Sequence, residues 1–219
     1  MSNQTIYKAL RTAGLTHEGA CGLMGNMMAE SGMCAAIAQR GMTAHSDTEY
    51  TRRADAGSLD FVHDAVGYGL CQWTYFSRKQ ALLGYARARG LSVGDEGAQT
   101  AFCLHELQSE FPGVWSVLRA SRDLYECTRI VCVQYERPAV NNVEARFAYA
   151  QSFAREFSQE TPAPAGNASP EGPPDLSVLM LQALLRGNGY DIEPDGRVSA
   201  AFFAKLREFT GDMEACGHV

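Results

Sequence analysis

The sequence contains no run of basic residues and no long apolar stretch. Lys and Arg number 19 against 25 Asp and Glu, which gives a net charge of −6. No cluster of positive charge is therefore present that would neutralise nucleic-acid phosphates. The most apolar window, residues 176–185, is about half the length that a membrane-spanning helix requires, and Ser177 and Gln182 interrupt it. We expect neither nucleic acid as a partner nor a membrane span.

The sequence also lacks the cysteine spacing of a metal-binding or disulfide framework. Its seven cysteines are an odd number and form no paired CxxC motif, so we expect them to be reduced and mostly buried. Two pairs, His17 with Cys21 and Cys103 with His105, are candidate zinc ligands, but neither is part of a larger set. A Cys/His peptidase is an open alternative without a nucleophile motif to support it. We predict no metal and no cofactor.

The stretch THEGACGLMGNMMAESG predicts one amphipathic helix. Thr16 is a candidate N-cap, and Gly32 occupies the place of a left-handed residue that ends a helix. Leu23, Met27 and Glu30 share one face, so a carboxyl group lies on the apolar side of the last turn. The helix dipole and an apolar wall would both favour the protonated carboxyl that a general acid needs. The alternative is a solvated glutamate at a frayed helix end.

A long polar segment, residues 33–66, follows this helix. Its helical periodicity is weak, apart from a possible turn that starts at Ser46. Irregular segments of this length inside a compact domain are more often functional than filler. The segment offers Asp64, Asp47 and Asp55 as candidates for a second carboxylate, and we favour Asp64 because it lies next to the following motif.

The motif GYGLCQWT combines two glycines with tyrosine, glutamine and tryptophan. Such a segment turns tightly and presents hydrogen-bonding and stacking groups together, and sugar rings need both kinds of contact. Tyr68, Gln72 and Trp73 are therefore candidate substrate-binding residues. The alternative is a turn that leads into the next helix, with Trp73 in the core.

The rest of the first 157 residues predicts further helices. They cover residues 5–13, 77–90, 96–110, 114–120, 124–135 and 143–157. The apolar face of the helix over 96–110 is predicted to run through Ala98, Ala101, Phe102, His105 and Leu107. Tyr135 and Glu136 precede Pro138 at a helix end, where they could border a groove; a structural ion pair of Glu136 is an equal alternative.

Several ordered blocks resemble the phage tail-type lysozyme family. The blocks are AESG, then FVHDAVGYGLCQWTYFSRKQALLGYA, then QYERP followed by EARFAYAQ, and together they span roughly residues 5–157. The resemblance implies a lysozyme-like, mainly helical fold that cleaves the glycan strand of peptidoglycan. It implies Glu30 as the catalytic acid, and Tyr68 and Gln72 as residues that line the groove. The AESG block alone is also similar to lytic transglycosylases.

The composition changes abruptly after Phe157. Residues 158–175 are rich in proline and without apolar periodicity, which is typical of a semi-extended linker. We predict a catalytic domain over 1–157, this linker, and a small helical domain over 176–219. The last domain is similar to a peptidoglycan-binding domain with the pattern LQ-x-x-L, GY, DG and a final helix.

These observations lead to one main hypothesis and two alternatives. The main hypothesis is a phage endolysin that hydrolyses the β-1,4 bond between N-acetylmuramic acid and N-acetylglucosamine, with Glu30 protonating the leaving oxygen and an aspartate as second carboxylate. The alternatives are a lytic transglycosylase, which forms 1,6-anhydro ends, and a non-catalytic wall-binding or tail protein. The N-terminal sequence has no apolar secretory segment, so we expect accumulation in the host cytoplasm before release to the wall.

Overall fold

A computed structural model of the protein describes residues 3–158, 182, 185, 186, 189–192, 202 and 205. The chain divides into two compact units, Met1–Thr161 and Pro162–Val219. The predicted mainly helical fold is confirmed. Within the described residues, strand-like pairing is limited to two isolated bridges, which join Tyr68 to Ala38 and to Trp73.

The described part of the first unit contains eight α-helices and one π-helical segment. They are α1 (Asn3–Thr12), α2 (His17–Ser31), α3 (Asp47–Ala56), α4 (Phe76–Arg87), α5 (Glu96–Ser109), α6 (Pro112–Ala120), α7 (Leu124–Ile130), the π segment (Val131–Glu136) and α8 (Val143–Glu156). Helix α3 is longer than the turn that the sequence predicted from Ser46. The π segment replaces the end of a helix that was predicted to be regular.

Helix α2 begins and ends where its local sequence predicts. The Thr16 side chain accepts a hydrogen bond from the Gly19 N–H at 2.8 Å, which satisfies one of the free donors of the first turn. Gly32 adopts the left-handed conformation with φ 61°, and its N–H donates to the Met28 carbonyl at 2.9 Å. Both predicted caps are confirmed, and Glu30 therefore lies in the last turn of a well-defined helix.

Three glycines let other helices approach the backbone of α2 closely. A methyl group on Gly19 would collide with the backbone of α6, and one on Gly22 would collide with α7. A methyl group on Gly25 would lie 2.6 Å from the carbonyl oxygen of Arg146 in α8. Since the three glycines recur every third residue, α2 is the central helix of the unit, and α8 brings Arg146 close to the end that carries Glu30.

A buried amide of α5 fixes the loop that contains the GYG motif. Gln99 accepts a hydrogen bond from the Leu70 N–H at 2.8 Å and donates to the carbonyls of Ala35 and Val93, each at 2.7 Å. Gly69, with φ 74°, lies so close to Gln99 that any side chain there would clash with the amide. The loop conformation therefore depends on Gln99, which no motif of the sequence marks as important.

The predicted apolar face of α5 was wrong at two positions. Ala101 and His105 are exposed, whereas the polar residues Gln99 and Glu106 are buried. The reason is that both buried polar side chains have hydrogen-bond partners from distant segments, which local periodicity does not record.

The second unit is described at a few positions. Its helical residues are Gln182, Leu185, Arg186, Phe202 and Lys205. Leu185 and Phe202 are buried apolar residues. Most of the predicted linker over 158–175 and of the predicted peptidoglycan-binding domain lies outside the described residues, so both stay predictions.

Candidate active site

Glu30 makes an ion pair with Arg146 across the interface of α2 and α8. The guanidinium Nη2 donates to Glu30 Oε1 at 2.6 Å, and the side chains of Glu30 and Arg146 are 18% and 8% exposed. The contact is a charge-assisted hydrogen bond. The local sequence indicates the helix dipole and an apolar wall but gives no sign of this partner, because 116 residues separate Glu30 from Arg146.

Buried hydrogen bonds hold the guanidinium in place. Arg146 Nη1 donates to the side-chain oxygen of Asn26 at 3.1 Å. The Asn26 amide nitrogen donates in turn to the carbonyls of Gly22 and Thr128, at 2.9 and 3.0 Å. Arg146 Nε is also buried, and no residue that the structure describes accepts its proton. The orientation of the Glu30 carboxylate is thus fixed from inside the protein.

Glu136 is a second carboxyl group near Glu30. It is the last residue of the π segment, and its buried Oε1 receives no hydrogen bond within the described part of the chain. Burial raises the pKa of Glu136 well above the usual range, and repulsion from Glu30 raises it further, against the opposing charges of Arg78 and Arg146. The arrangement favours a protonated Glu136.

The Cys132 thiol responds to the same charged groups. This residue begins the turn that ends at Glu136, and burial raises its pKa. The charge of Arg146 opposes this rise, and the charges of Glu136 and Glu30 add to it. Both acids and the arginine therefore lie within electrostatic reach of one thiol.

Glu106 of α5 is a third buried carboxyl group, and it has a full set of partners. Arg78 donates to both of its oxygens, with Nε at 2.6 Å and Nη2 at 2.7 Å. The Trp73 indole N–H and the Tyr135 hydroxyl donate to Oε2 at 3.0 and 2.7 Å. Burial acts to raise the pKa of Glu106, but the hydrogen bonds and charge of Arg78 outweigh it and lower the pKa below its usual value.

The same contacts place two of the predicted substrate-binding residues in the core. Trp73 is 0% exposed and Tyr135 is 1% exposed. Both rings anchor Glu106 from inside, and in this conformation neither presents a face to a ligand. Substrate contact by Trp73 and Tyr135 stays a prediction, and it would require these rings to move.

The other two predicted substrate-binding residues, Tyr68 and Gln72, lie in the loop that contains the GYG motif. Tyr68 is buried, and its hydroxyl lies 2.6 Å from the Thr51 hydroxyl. Gln72 is partly exposed, adopts φ 45°, and donates through its side-chain amide to the Gly69 carbonyl at 3.1 Å. Of the four residues, Gln72 is the one that retains surface for a ligand.

Asp64, the favoured second carboxylate, is engaged in a different network. Its oxygens accept from Lys79 Nζ at 2.5 Å, from the Tyr50 hydroxyl at 2.6 Å and from the Val66 N–H at 3.0 Å. The Lys79 side chain is fully buried; burial lowers its pKa, and Asp64 opposes this effect. Asp64 therefore neutralises a buried lysine, and within the described part of the chain no hydrogen bond or ion pair joins it to Glu30.

The two fallback aspartates also tie segments together. Asp47 accepts the Ala38 N–H at 3.0 Å, which fixes the chain before α3. Asp55 accepts from the Ser92 hydroxyl at 2.6 Å and from the Val93 N–H at 2.8 Å, which connects α3 to the segment before α5. All three predicted aspartates thus have structural partners.

The cysteines and histidines form no metal site in the part of the chain that the structure describes. Five of the six cysteines there are buried and Cys34 is exposed. No group of three or more potential ligands lies together among those residues. His17 contacts the Tyr7 hydroxyl at 2.8 Å and Cys21 Sγ at 3.9 Å, which accounts for one of the two pairs that the sequence singled out.

The described fold and site define a class of protein. A helical domain carries a partly exposed carboxylate at the end of its central helix, and the charge of this group acts on a second, buried carboxyl group. Pairs of carboxyl groups in unlike environments are the acid–base machinery of glycoside hydrolases of the lysozyme kind. The described residues also contain no helix that is long and apolar enough to cross a membrane.

The chain belongs to the phage tail lysozyme family, whose model matches residues 2–157. It is accordingly a phage lysozyme-like cell-wall hydrolase, and the family implies peptidoglycan as the substrate. No curated protein matches the sequence. The match covers the whole first unit except its ends. It includes Glu30, Glu106, Glu136 and Arg146.

Proposed function

We propose that the protein is an N-acetylmuramidase that hydrolyses the β-1,4 bond between N-acetylmuramic acid and N-acetylglucosamine. The observation that carries this proposal is the Glu30 carboxylate, held at the end of the central helix by Arg146 in a chain of the phage tail lysozyme family. Glu30 is partly exposed, so it can meet a ligand, while its guanidinium partner is almost fully buried.

In this proposal Glu30 acts as the general acid. It donates a proton to the oxygen of the leaving sugar while the bond from that oxygen to the anomeric carbon breaks. Water then adds to the anomeric carbon, and its surplus proton returns to the site. Asp64 is a poor candidate for the second carboxylate, because Lys79, Tyr50 and the Val66 N–H already use its oxygens.

We further propose that the enzyme is an endolysin. It would accumulate in the host cytoplasm and reach the cell wall when the membrane is opened, and the second unit would bind the wall. Support comes from the family and from the proline-rich sequence of residues 158–175, together with the resemblance of residues 176–219 to a peptidoglycan-binding domain.

A lytic transglycosylase is the second candidate, and one observation favours it. Asp64, Asp47 and Asp55 all have structural partners, so none of the predicted aspartates is available beside Glu30. A transglycosylase needs a single acid–base carboxyl, because the C6 hydroxyl of the muramyl residue closes the anhydro ring.

Digestion of purified peptidoglycan distinguishes these functions. We expect the wild-type protein to release fragments with reducing muramic ends, and Glu30→Gln to lose at least about 100-fold in rate while remaining folded. Glu110→Gln is the matched control, because it makes the same chemical change at an exposed position. Anhydro ends in the mass spectrum would establish the transglycosylase, and no release by the folded wild type would indicate a non-catalytic protein.

A further inference from the structure

Three polar side chains converge on Gly67, the first glycine of the GYG motif. A methyl group at this position would lie 3.0 Å from Gln72 Oε1, 3.2 Å from Thr74 Oγ1 and 3.3 Å from Gln39 Oε1. None of these three residues is buried, whereas the glycine beneath them is. Because the glycine has no side chain, two amides and a hydroxyl from separate segments of the chain meet at one point of the surface.

Backbone contacts determine which end of each amide is free. Gln39 Oε1 accepts a hydrogen bond from the Gly67 N–H at 3.2 Å, so its NH₂ group is the free end. Gln72 Nε2 donates to the carbonyls of Gly69 and Ile37, at 3.1 and 3.4 Å, so its oxygen is the free end. Neither free end has a hydrogen-bond partner within the described part of the chain. The pair therefore offers one amide donor and one amide acceptor to a ligand.

The backbone beneath the two amides is itself paired. The Gln39 N–H donates to the Gly67 carbonyl at 2.7 Å, which adds to the side-chain contact between the same two residues. The Gly69 N–H donates to the Ile37 carbonyl at 2.9 Å. Since these contacts order both amides in the free protein, a ligand that pairs with them loses little side-chain entropy on binding.

The loop that bears Gln72 is attached to the end of α2 that carries Glu30. Ser31 follows Glu30 directly, and its hydroxyl donates to the Leu70 carbonyl at 3.1 Å. Gln72 lies two residues beyond Leu70, so covalent geometry limits the Cα separation of Glu30 and Gln72 to at most about 20 Å. A glycan strand of several sugars spans such a distance.

A secondary amide is a ligand group that can pair with both free ends at once. Its N–H would donate to Gln72 Oε1 while its carbonyl accepts from Gln39 Nε2. The proposed substrate offers this group repeatedly, because each sugar of the β-1,4 strand of N-acetylmuramic acid and N-acetylglucosamine carries a 2-acetamido substituent. The stem peptide of peptidoglycan is another source of secondary amides.

We propose that Gln39 and Gln72 together form a subsite for the 2-acetamido group of a peptidoglycan sugar, with Gln39 as the donor and Gln72 as the acceptor. This inference rests on the proposed function, in which a glycan strand binds at Glu30. Gln39 determines specificity, because a sugar with a hydroxyl in place of the acetamido group leaves the two amides without their partners.

Binding of neutral tetrasaccharides tests the inference without any cleavage. The probes are the β-1,4 tetramer of N-acetylglucosamine and cellotetraose, in which hydroxyls replace the acetamido groups. We expect the acetylated tetramer to shift the side-chain amide signal of Gln39 in ¹H–¹⁵N spectra, where the signal is assigned by its loss in Gln39→Glu. Cellotetraose should leave this signal in place.

Gln39→Glu retains the acceptor for the Gly67 N–H but removes the free donor. It should weaken binding of the acetylated tetramer at least about tenfold. Gln108→Glu makes the same chemical change at an exposed position and should match the wild type.

Gly67→Ala is a second variant, which changes no amide. Gly67 lies outside the left-handed region, so its backbone accommodates alanine. The added methyl group must, however, displace the oxygens of Gln39 and Gln72 by a few tenths of an ångström. We expect this variant to fold, as judged by circular dichroism, and to bind the acetylated tetramer more weakly than the wild type.

The inference is overturned if Gln39→Glu binds the acetylated tetramer as tightly as the wild type, if cellotetraose shifts the Gln39 signal equally, or if the wild type binds neither probe. A shift caused by the free stem peptide and not by the acetylated tetramer would overturn it as well, and would assign the two amides to the peptide. Selective binding of the tetramer without any cleavage of peptidoglycan would contradict the proposed function and leave the subsite intact. Cleavage by a wild type whose glycan binding does not depend on Gln39 would contradict the subsite alone.

Discussion

Glu106 and Glu136 are two buried carboxyl groups that respond to the protein in opposite ways. Glu106 receives hydrogen bonds from Arg78, Trp73 and Tyr135, whereas Oε1 of Glu136 receives none from the described residues. Burial acts to raise the pKa of both groups, yet partners lower the pKa of Glu106 and that of Glu136 stays raised. Burial alone therefore does not determine the charge of a carboxyl group. The hydrogen-bond donors that contact the group determine it as well.

The difference separates a carboxyl group with structural partners from one whose buried oxygen has none among the described residues. A carboxylate whose oxygen atoms all accept hydrogen bonds from the protein holds helices together, and it cannot accept further hydrogen bonds from a ligand. A buried carboxyl without donors costs stability in its charged form and persists where another requirement keeps it. Asp64 belongs with Glu106, since Lys79 and Tyr50 bind its oxygens. Three substitutions test this division, in order of decreasing effect.

Glu106→Gln should cause the largest loss of stability. It leaves the largely buried guanidinium of Arg78 without its anion, which we expect to cost about 3 kcal/mol in the free energy of unfolding at pH 7. Because the pKa of Glu106 is lowered in the folded state, its stabilisation is present above the unfolded pKa and is lost as the pH falls. Chemical denaturation at pH 7 and pH 3.5 should show the gap between variant and wild type shrinking in acid; a constant gap would contradict an ionised Glu106.

Asp64→Asn should have the next largest effect. Lys79 would keep the Tyr50 hydroxyl and the Val66 carbonyl as partners but lose its counter-charge, at a cost of about 2 kcal/mol. The fraction that remains folded should cleave peptidoglycan at nearly the wild-type rate. Activity per folded molecule is the measurement, and a loss as large as that of Glu30→Gln would instead support the sequence-based prediction that Asp64 is catalytic.

Glu136→Gln should have the smallest effect on stability, and in the opposite direction. The pKa of Glu136 is raised in the folded state, so the stability of the wild type falls as the pH rises from the unfolded value through the folded one. The variant has no such loss, so its free energy of unfolding should exceed that of the wild type by a margin that grows to about 1 kcal/mol by pH 8. Thermal unfolding from pH 4 to 8, with Glu110→Gln as the reference, measures the trend. An advantage that stays flat with pH would show that Glu136 is not protonated.

The sequence predicted those features that depend on a few neighbouring residues. The caps of α2 follow from the hydrogen-bonding capacity of Thr16 and the backbone freedom of Gly32, so the position of Glu30 in the last turn was predictable. The family resemblance rested on short blocks of this kind, and the family match over residues 2–157 confirms it.

The sequence did not predict the contacts that join distant segments. Arg146 was part of a helical pattern without any sign that it would reach Glu30, 116 residues earlier. Glu106 was overlooked because a buried, fully paired carboxylate breaks the apolar pattern of α5. Glu136 was noted as a groove residue or a member of an ion pair, and the π turn that directs it could not be derived from local propensity.

The most direct test of the account is a ¹³C carboxyl titration of Glu106 and Glu136 in the folded wild-type protein, with the signals assigned by the two glutamine variants. The account predicts that the two glutamates titrate on opposite sides of the ordinary glutamate pKa of about 4.3, with Glu106 ionised below it and Glu136 still protonated well above it. Titration of both groups at the ordinary value, or of Glu136 below it, would contradict the contrast between a partnered and an unpartnered carboxyl.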